Sequence, residues 1–273
     1  MGAAVNREVL VNMISVCIAT HNGEAYLEQQ LASILCQLGE DDEVVISDDG
    51  STDKTLSIIE DFEDKRVKVY HFTQPRKTKH VHEYVCCNFE NALKHAQGDF
   101  IFLSDQDDIW LPDKVEFCMD ALKGHDLLLH EFRDIESGGI ITRERHYNGS
   151  FRPKNYLLRT GMHYGCAMAF RRCVLDYALP FPRHLLLHDY WLGILAEMLG
   201  RFVFVDKPLI LYRVSGQNTS VTKNSLLFKV QYRIWTICCV LFRVLVFKLG
   251  IHHSLANASN NRLRTTVQTS SQN

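Results

Sequence analysis

The chain contains no aspartate or glutamate after Asp206, although it has 32 such residues up to that point. Every charged residue beyond Asp206 is basic. These residues are Lys207, Arg213, Lys223, Lys229, Arg233, Arg243, Lys248, Arg262 and Arg264. The net charge of −2 therefore combines an acidic first part with a basic last part. This asymmetry predicts an anionic partner for the C-terminal part, such as a membrane surface, and we expect no nucleic-acid partner.

Three other features are missing from the sequence. The 9 cysteines include no Cys-x-x-Cys pair, so they predict neither a zinc site nor a disulfide framework, and they fit a reducing cytoplasm. The first residues lack the charged and then apolar pattern of a signal, so we expect no secretory peptide. No uncharged apolar run reaches the roughly 18 residues that a membrane span needs. We therefore expect a cytoplasmic protein.

The first hundred residues alternate short apolar runs with helical patterns. Runs rich in Val, Ile and Leu predict strands, and the amphipathic segments between them predict helices. The predicted strands are 9–19, 43–47, 66–72 and 99–103, and the predicted helices are 24–38, 52–62 and 84–96. This βαβαβαβ order predicts an α/β fold with a mainly parallel, Rossmann-like sheet and helices on both faces. Further along, helices are predicted at 112–122, 172–178 and 189–199, strands at 126–130, 164–170, 202–205 and 209–212, and a hairpin or mobile loop at 131–155.

Polar segments follow three of the predicted strands directly, at 20–23, 48–53 and 104–108. Because the carboxyl ends of parallel strands meet at one rim of a sheet, these segments should lie together there. In the third segment, Asp105 and Asp107 are two residues apart and point to the same side of an extended chain. Paired carboxylates together with substrate phosphates are the ligands that Mg²⁺ and Mn²⁺ favour. The sequence therefore predicts a divalent-cation site at this rim, and a solvated acidic turn is the alternative.

The segment 226–249 has a helical pattern with its basic residues on one side and a broad apolar face on the other. This is the pattern of a helix that lies in a membrane interface, and a helix docked on the domain core is the alternative. We divide the chain into a main domain at 1–220, a basic amphipathic extension at 221–256 and a disordered tail at 257–273.

Five motifs together resemble those of glycosyltransferase family 2, over about residues 12–220. They are IATHNG at 18–23, SDDGSTD at 47–53, FLSDQDDIW at 102–110, HDYW at 188–191 and LILYRVSGQN at 209–218. The chain looks most like the bacterial rhamnosyltransferase-like members that build surface polysaccharides. The resemblance implies the GT-A fold, a nucleoside-diphosphate sugar donor and Mn²⁺ or Mg²⁺ as cofactor. It also implies an inverting, non-processive transfer to a saccharide or lipid-linked saccharide, with dTDP-rhamnose or a UDP-sugar as possible donors.

The resemblance also implies roles for individual residues. Asp107 would bind the metal, and Asp105 would contact either the metal or the ribose of the donor. Asp108 would be a second metal ligand or a residue that supports the ligands. Asp189 would be the catalytic base, although it could instead simply begin a helix. The expected donor contacts are Thr20, Asn22, Glu24, Asp48, Asp49, Ser51, Asp105 and Arg213. For Asp49 and Ser51 the alternative is helix capping, and for Arg213 it is a surface ion pair. The expected acceptor or sugar contacts are Trp110, Gly165, His188 and Trp191, with core packing as the alternative for the two tryptophans.

One position departs from the family pattern. Many relatives carry a histidine where this chain has Ser215. A hydroxyl is a poorer metal ligand than an imidazole, so diphosphate and water would complete the metal site. A catalytically inactive sugar-binding relative is therefore an alternative function. A nucleotidyltransferase on a similar fold is another, but segment 19–23 has only one glycine where such enzymes have a glycine-rich loop.

Overall fold

The computed structural model describes residues 12–74, 78, 80–147, 163–214 and 225–250. Its first part alternates strands and helices in the order that the sequence predicts. These elements are β1 (Ile14–Thr20), α1 (Leu27–Leu35), β2 (Glu43–Asp48), α2 (Thr55–Asp61), β3 (Val67–His71), α3 (Val81–His95) and β4 (Phe100–Ser104). The strands β1, β2 and β4 are almost completely buried, which agrees with their Val, Ile and Leu content and makes them the centre of the core.

The second part has shorter elements and ends in a long helix. Its strands are β5 (Ile109–Trp110), β6 (Leu127–Ile135), β7 (Ile141–Arg143), β8 (Met168–Arg171) and β9 (Phe202–Arg213). Its helices are α4 (Lys114–Ala121), α5 (Cys173–Ala178), α6 (His188–Leu199) and α7 (Leu226–Lys248), with a 3₁₀ turn at Gly165–Ala167 before β8.

One sheet joins all these strands, in the order β3-β2-β1-β4-β8-β6-β9-β5, with β7 paired to β6. The pairs β1–β2, β1–β4, β2–β3 and β6–β9 are parallel, and the pairs that involve β5, β7 and β8 are antiparallel. Thr20 lies opposite Asp48, and Ile18 lies opposite Ser104. The three polar segments therefore leave the sheet at one rim, as predicted.

Several predicted boundaries differ from the structure. The strands expected at 202–205 and 209–212 are one strand, β9, whose register with β6 shifts near Glu131. The strand expected at 164–170 begins with the 3₁₀ turn, and β8 forms only after it. The hairpin expected within 131–155 is formed by β6 and β7. The predictions for residues 9–11, 148–155, Ser215 and the tail at 257–273 lie outside the described residues.

Helix α7 docks on the domain, which was the alternative reading of this segment. Its Arg243 faces the core, where the guanidinium donates hydrogen bonds to the carbonyl oxygens of Tyr177, Leu179 and Pro180 and lies 5.3 Å from the ring centre of Trp191. Arg243 therefore belongs to the side of α7 that docks on the domain.

The opposite face of α7 is exposed and apolar. Its exposed side chains, between 48% and 67% accessible, are Leu227, Val230, Ile234, Leu241, Phe242, Leu245 and Leu249. By length and composition alone, 227–248 is also apolar enough to cross a membrane. Its basic residues interrupt the apolar run, so the sequence did not predict a span here. In the structure, however, one side of the helix packs on α5 and α6.

Candidate active site

The loops after β1 and β2 are tied together by side-chain hydrogen bonds. The Thr20 hydroxyl donates to Asp48 Oδ1 over 2.9 Å, and both side chains are buried. Asp48 also accepts hydrogen bonds from the backbone N–H and the hydroxyl of Ser51. Asn22 donates its N–H to Ser51 Oγ over 2.9 Å and accepts from the N–H of Thr52 over 2.8 Å. The structure thus brings four predicted donor-site residues into one network.

The side chains that hydrogen-bond to the start of α2 are those of Asp53 and Glu24, not those of Asp49 and Ser51. Asp53 accepts a hydrogen bond from the N–H of Thr55 over 3.0 Å, and Glu24 Oε2 accepts one from the N–H of Lys54 over 3.0 Å. Asp49 instead accepts a hydrogen bond from Gln74 Nε2 and lies half-buried at the rim. Burial raises the pKa of Asp49. Asp49 therefore remains a candidate nucleotide contact, while Glu24 stabilises the helix start.

Gln106 links the loop after β4 to the loop after β1, and sequence reasoning missed it. Its Oε1 accepts a hydrogen bond from the N–H of His21 over 2.9 Å, and its Nε2 donates to the carbonyl of His21 over 3.2 Å. A Cβ at position 23 would lie 2.7 Å from Gln106 Oε1, so Gly23 leaves the space for this link. The only sequence signal was the single glycine of that loop.

Three carboxylates crowd together after β4. Asp105 and Asp107 are half-buried, and Asp108 is fully buried. Burial, together with the charges of Asp107 and Asp189, raises the pKa of Asp105 to about 7. Burial also raises the pKa values of Asp107 and Asp108. Ligand atoms of Asp105 and Asp108 lie within 4.8 Å of each other, so these two residues fit a divalent metal, while metal binding by Asp107 stays a prediction.

Arg213 has a different role from the predicted one. It is only 3% exposed, and its guanidinium donates hydrogen bonds to the carbonyls of Asp107 over 2.9 Å and Ser137 over 2.9 Å. Its own N–H donates to Asp108 Oδ1 over 3.0 Å. The guanidinium also lies 4.2 Å from the ring centre of Tyr26. The structure therefore makes Arg213 a support of the acidic loop and not a surface ion-pair partner, while its contact with a diphosphate stays a prediction.

Asp189 and Asp105 line the same cavity, which has a volume of about 130 Å³. Asp189 lies in the first turn of α6 and accepts a hydrogen bond from the N–H of Tyr190 over 2.7 Å. Burial raises the pKa of Asp189 to about 7. A carboxylate with this pKa, in an open cavity that it shares with Asp105, is suited to accept a proton from a substrate hydroxyl at neutral pH.

His188 forms another part of the cavity wall. Its ring stacks on Phe89 with 4.2 Å between ring centres, and its Nδ1 lies 3.8 Å from Cys86 Sγ. Burial lowers the pKa of His188 to about 3, so the ring is neutral. A Cβ at Gly165 would lie 2.9 Å from His188 Nε2, so the glycine makes room for the imidazole. Gly165 and His188 thus both line the cavity that contains Asp189, and their contact with an acceptor stays a prediction.

The two predicted sugar-stacking tryptophans are core residues. Trp110 is 3% exposed and Trp191 is 1% exposed. Trp110 packs on Phe102, and Trp191 donates its indole N–H to the carbonyl of Ala178 over 2.9 Å. Core packing, the alternative for both, is what the structure shows. Aromatic side chains that do line the cavity, and that the motifs did not single out, are His82, Tyr164 and Tyr212.

Known proteins resemble this chain in sequence and in fold. It is 30% identical over 240 residues to the dTDP-rhamnosyl transferase RfbG of Shigella flexneri, covering 79% of this chain and 77% of that protein. It is 25% identical to the UDP-Glc:alpha-D-GlcNAc-diphosphoundecaprenol beta-1,3-glucosyltransferase WfgD of Escherichia coli, covering 82% of this chain and 85% of that protein.

A mannosyltransferase structure shows the same fold. The protein is PcManGT of Pyrobaculum calidifontis in complex with GDP-Man and Mn²⁺, at 19% identity and a TM-score of 0.52, covering 94% of this chain and 84% of that one. A family model described as "Glycosyl transferase family 2" matches residues 15–178. These matches confirm the GT-A fold. The chain is a nucleotide-sugar glycosyltransferase of polysaccharide synthesis, and it belongs to glycosyl transferase family 2.

Proposed function

We propose that the protein is an inverting, metal-dependent, non-processive glycosyltransferase that uses Asp189 as its base. The observation that carries this proposal is that Asp105 and Asp189 line one cavity at the rim where the donor loops meet. A donor diphosphate at Asp105 and Asp107 and an acceptor hydroxyl at Asp189 would then meet in this cavity. The similarity to RfbG makes dTDP-rhamnose the first donor to test, followed by UDP-sugars.

The reaction is a single displacement at the anomeric carbon. The acceptor oxygen bonds to that carbon as Asp189 takes its proton, and the bond to the diphosphate oxygen breaks. One displacement inverts the anomeric configuration, so one carboxylate suffices. Mn²⁺ or Mg²⁺ held by Asp107 and Asp105 would stabilise the negative charge of the departing diphosphate. Arg213 keeps the acidic loop in place through its bonds to the carbonyl of Asp107 and the carboxylate of Asp108.

The test is release of nucleoside diphosphate by purified protein with Mn²⁺, a panel of dTDP-, UDP- and GDP-sugars, and an acceptor extract. Asp189→Asn should lower the rate by about 100-fold or more, the usual share of a general base. Asp107→Asn should lower it by a similar factor, because the metal that stabilises the departing diphosphate would lose a ligand. Asp176 is an exposed aspartate in the first turn of α5, so Asp176→Asn is the matched control. A rate within a few-fold of the wild type in Asp189→Asn would refute the base. Retained anomeric configuration in the product, measured by NMR, would refute inversion.

We also propose that α7 places the enzyme on the cytoplasmic face of the membrane, where it meets a lipid-linked saccharide. The first turns of α7 border the acceptor cavity. Phe228 stacks on His80 with 5.0 Å between ring centres, and the Tyr232 hydroxyl accepts a hydrogen bond from the N–H of Leu186, a cavity residue. The exposed apolar face of α7 therefore begins beside the cavity, as a lipid-carried acceptor requires. WfgD, by its name, acts on a diphosphoundecaprenol-linked sugar.

Co-sedimentation with anionic vesicles tests this contact. Replacing Leu241, Phe242 and Leu245 together with serine should release most of the protein, because these exposed side chains would insert into the interface. Ile140→Ser is the control, since Ile140 is 66% exposed on the β6–β7 hairpin. Equal sedimentation of both variants would contradict the membrane role of α7.

A further inference from the structure

A sulfur atom lies beside the acidic loop. Ligand atoms of Asp105, Asp108 and Cys166 all lie within 4.8 Å of one another. The two carboxylates come from the loop after β4, and the thiol comes from the 3₁₀ turn before β8. The predicted pair for the donor metal, Asp105 and Asp107, is a different set of ligands that shares only Asp105.

The surrounding structure holds each of these three groups. The buried Lys114 donates a hydrogen bond from Nζ to the carbonyl of Cys166 over 2.9 Å, which fixes the turn. Arg213 bonds to Asp108 Oδ1. Apart from the interaction of the Asp108 carboxylate with the Cys166 thiol, the buried Asp108 Oδ2 has no hydrogen-bond partner among the described residues. An unpartnered carboxylate oxygen without access to water is costly, and a cation would satisfy it.

The spacing and the donor types indicate which cation fits. In a tetrahedral zinc site, oxygen and sulfur ligand atoms about 2.0 and 2.3 Å from the metal lie about 3.3 to 3.5 Å apart. Because the three atoms lie within 4.8 Å of one another, they would move together by no more than about 1.5 Å. A thiol among carboxylates favours Zn²⁺ and Co²⁺ over Mg²⁺, which prefers oxygen ligands alone. Asp105 also lines the open cavity, which provides an entry path and a position for water as the fourth ligand.

We propose that Asp105, Asp108 and Cys166 form a binding site for a thiophilic divalent cation such as Zn²⁺ or Co²⁺. Binding exchanges the thiol proton for the metal, and the proton passes to solvent. Because the site takes Asp105 from the donor metal, Zn²⁺ inhibits sugar transfer even when Mn²⁺ is present. The inhibition rests on the proposed function, whereas the binding does not.

Absorption spectroscopy with Co²⁺ tests the binding directly. The wild-type protein should show a near-ultraviolet charge-transfer band from the cobalt–sulfur bond, in addition to weaker visible bands. Cys166→Ser should lose the charge-transfer band and weaken Co²⁺ binding by about tenfold or more, because even indirect support of a metal ligand is worth that much. Cys118→Ser is the matched control, since Cys118 is also fully buried but lies outside the three-ligand group. A wild-type protein without the band, or a Cys166→Ser protein that keeps it, would overturn the proposal.

A second measurement separates this site from the donor site. Asp108→Asn keeps an oxygen that can accept the Arg213 N–H but removes the charge, so Zn²⁺ affinity measured by calorimetry should fall about tenfold or more. Mn²⁺ affinity should change less than threefold, because Asp107 and Asp105 remain. Equal losses for Zn²⁺ and Mn²⁺ would show one shared site and refute the proposal. In the wild-type protein, Zn²⁺ binding without any sugar transfer would instead count against the proposed function alone.

Discussion

Ionisation of Asp189 should control the rate of sugar transfer below neutral pH. Burial raises its pKa to about 7, and only the carboxylate form can accept the acceptor proton. At a pH one unit below the pKa, about a tenth of the molecules have this form, so kcat/KM should fall nearly tenfold for each further unit. A divalent cation bound near Asp105 favours the ionised form of Asp189, so the fall in kcat/KM then occurs at a lower pH.

The same pKa predicts how stability changes with pH. The pKa of Asp189 is higher in the folded protein than the roughly 3.9 of an unfolded aspartate, so the folded state binds the proton more tightly. The stability gained from protonated Asp189 is complete below about pH 4 and is lost as the pH rises through about 7. Between pH 5 and pH 8 this amounts to about 2 kcal/mol, allowing for partial solvent access.

Urea unfolding and pH–rate profiles of Asp189→Asn test both statements. Between pH 5 and pH 8 the wild type should lose about 2 kcal/mol of unfolding free energy that the variant does not lose, so the variant becomes more stable relative to the wild type. Asp176→Asn, at its exposed position, should show no such trend. A wild-type rate that stays constant between pH 5 and pH 8 would refute the assignment of Asp189 as base. An unchanged free-energy difference would refute its raised pKa.

Three further substitutions test particular contacts. Gly98→Ala should lower the free energy of unfolding by about 3 kcal/mol in urea titrations, because its Cβ would lie 2.6 Å from the backbone nitrogen of Ser15, which cannot move aside. Gly165→Ala should displace His188 and lower kcat/KM for the acceptor more than acceptor-independent donor hydrolysis, and equal losses would contradict an acceptor role. Arg213→Met should lower the free energy of unfolding by about 3 kcal/mol, because the buried carbonyls of Asp107 and Ser137 lose their donors. It should also weaken Mn²⁺ binding measured by calorimetry. Unchanged Mn²⁺ affinity would show that the Arg213 guanidinium does not order the acidic loop.

The rim of the sheet could be predicted because local patterns determine it. Apolar runs identified the buried strands, and a parallel order placed their polar ends together, as the pairing of Thr20 with Asp48 confirms. Motif spacing also placed Asp189 at the start of a helix, where the structure has it. These features depend on residues close together in the sequence, so they are readable without tertiary contacts.

The errors concern side chains whose partners are distant in sequence. Arg213 looked available for phosphate, but carbonyls from the β4–β5 and β6–β7 loops surround it. Arg243 was predicted to lie on the basic face of α7, but its guanidinium faces the core, where it donates a hydrogen bond to the carbonyl of Tyr177 at the end of α5. Trp110 and Trp191 carry no sequence signal that separates a buried ring from a sugar platform. Gln106 was missed for the same reason, since its partner His21 lies 85 residues away.

The double hydrogen bond between Gln106 and His21 has a consequence for motion in the empty enzyme. The Gln106 amide pairs with the peptide groups of His21 much as a neighbouring strand would, so the sheet-like bonding continues past the ends of β1 and β4. The two loops should therefore move as one body, with their geometry set before a donor arrives. Slow amide hydrogen exchange at His21 without ligand would report this rigidity, and Gln106→Ala should make that exchange fast.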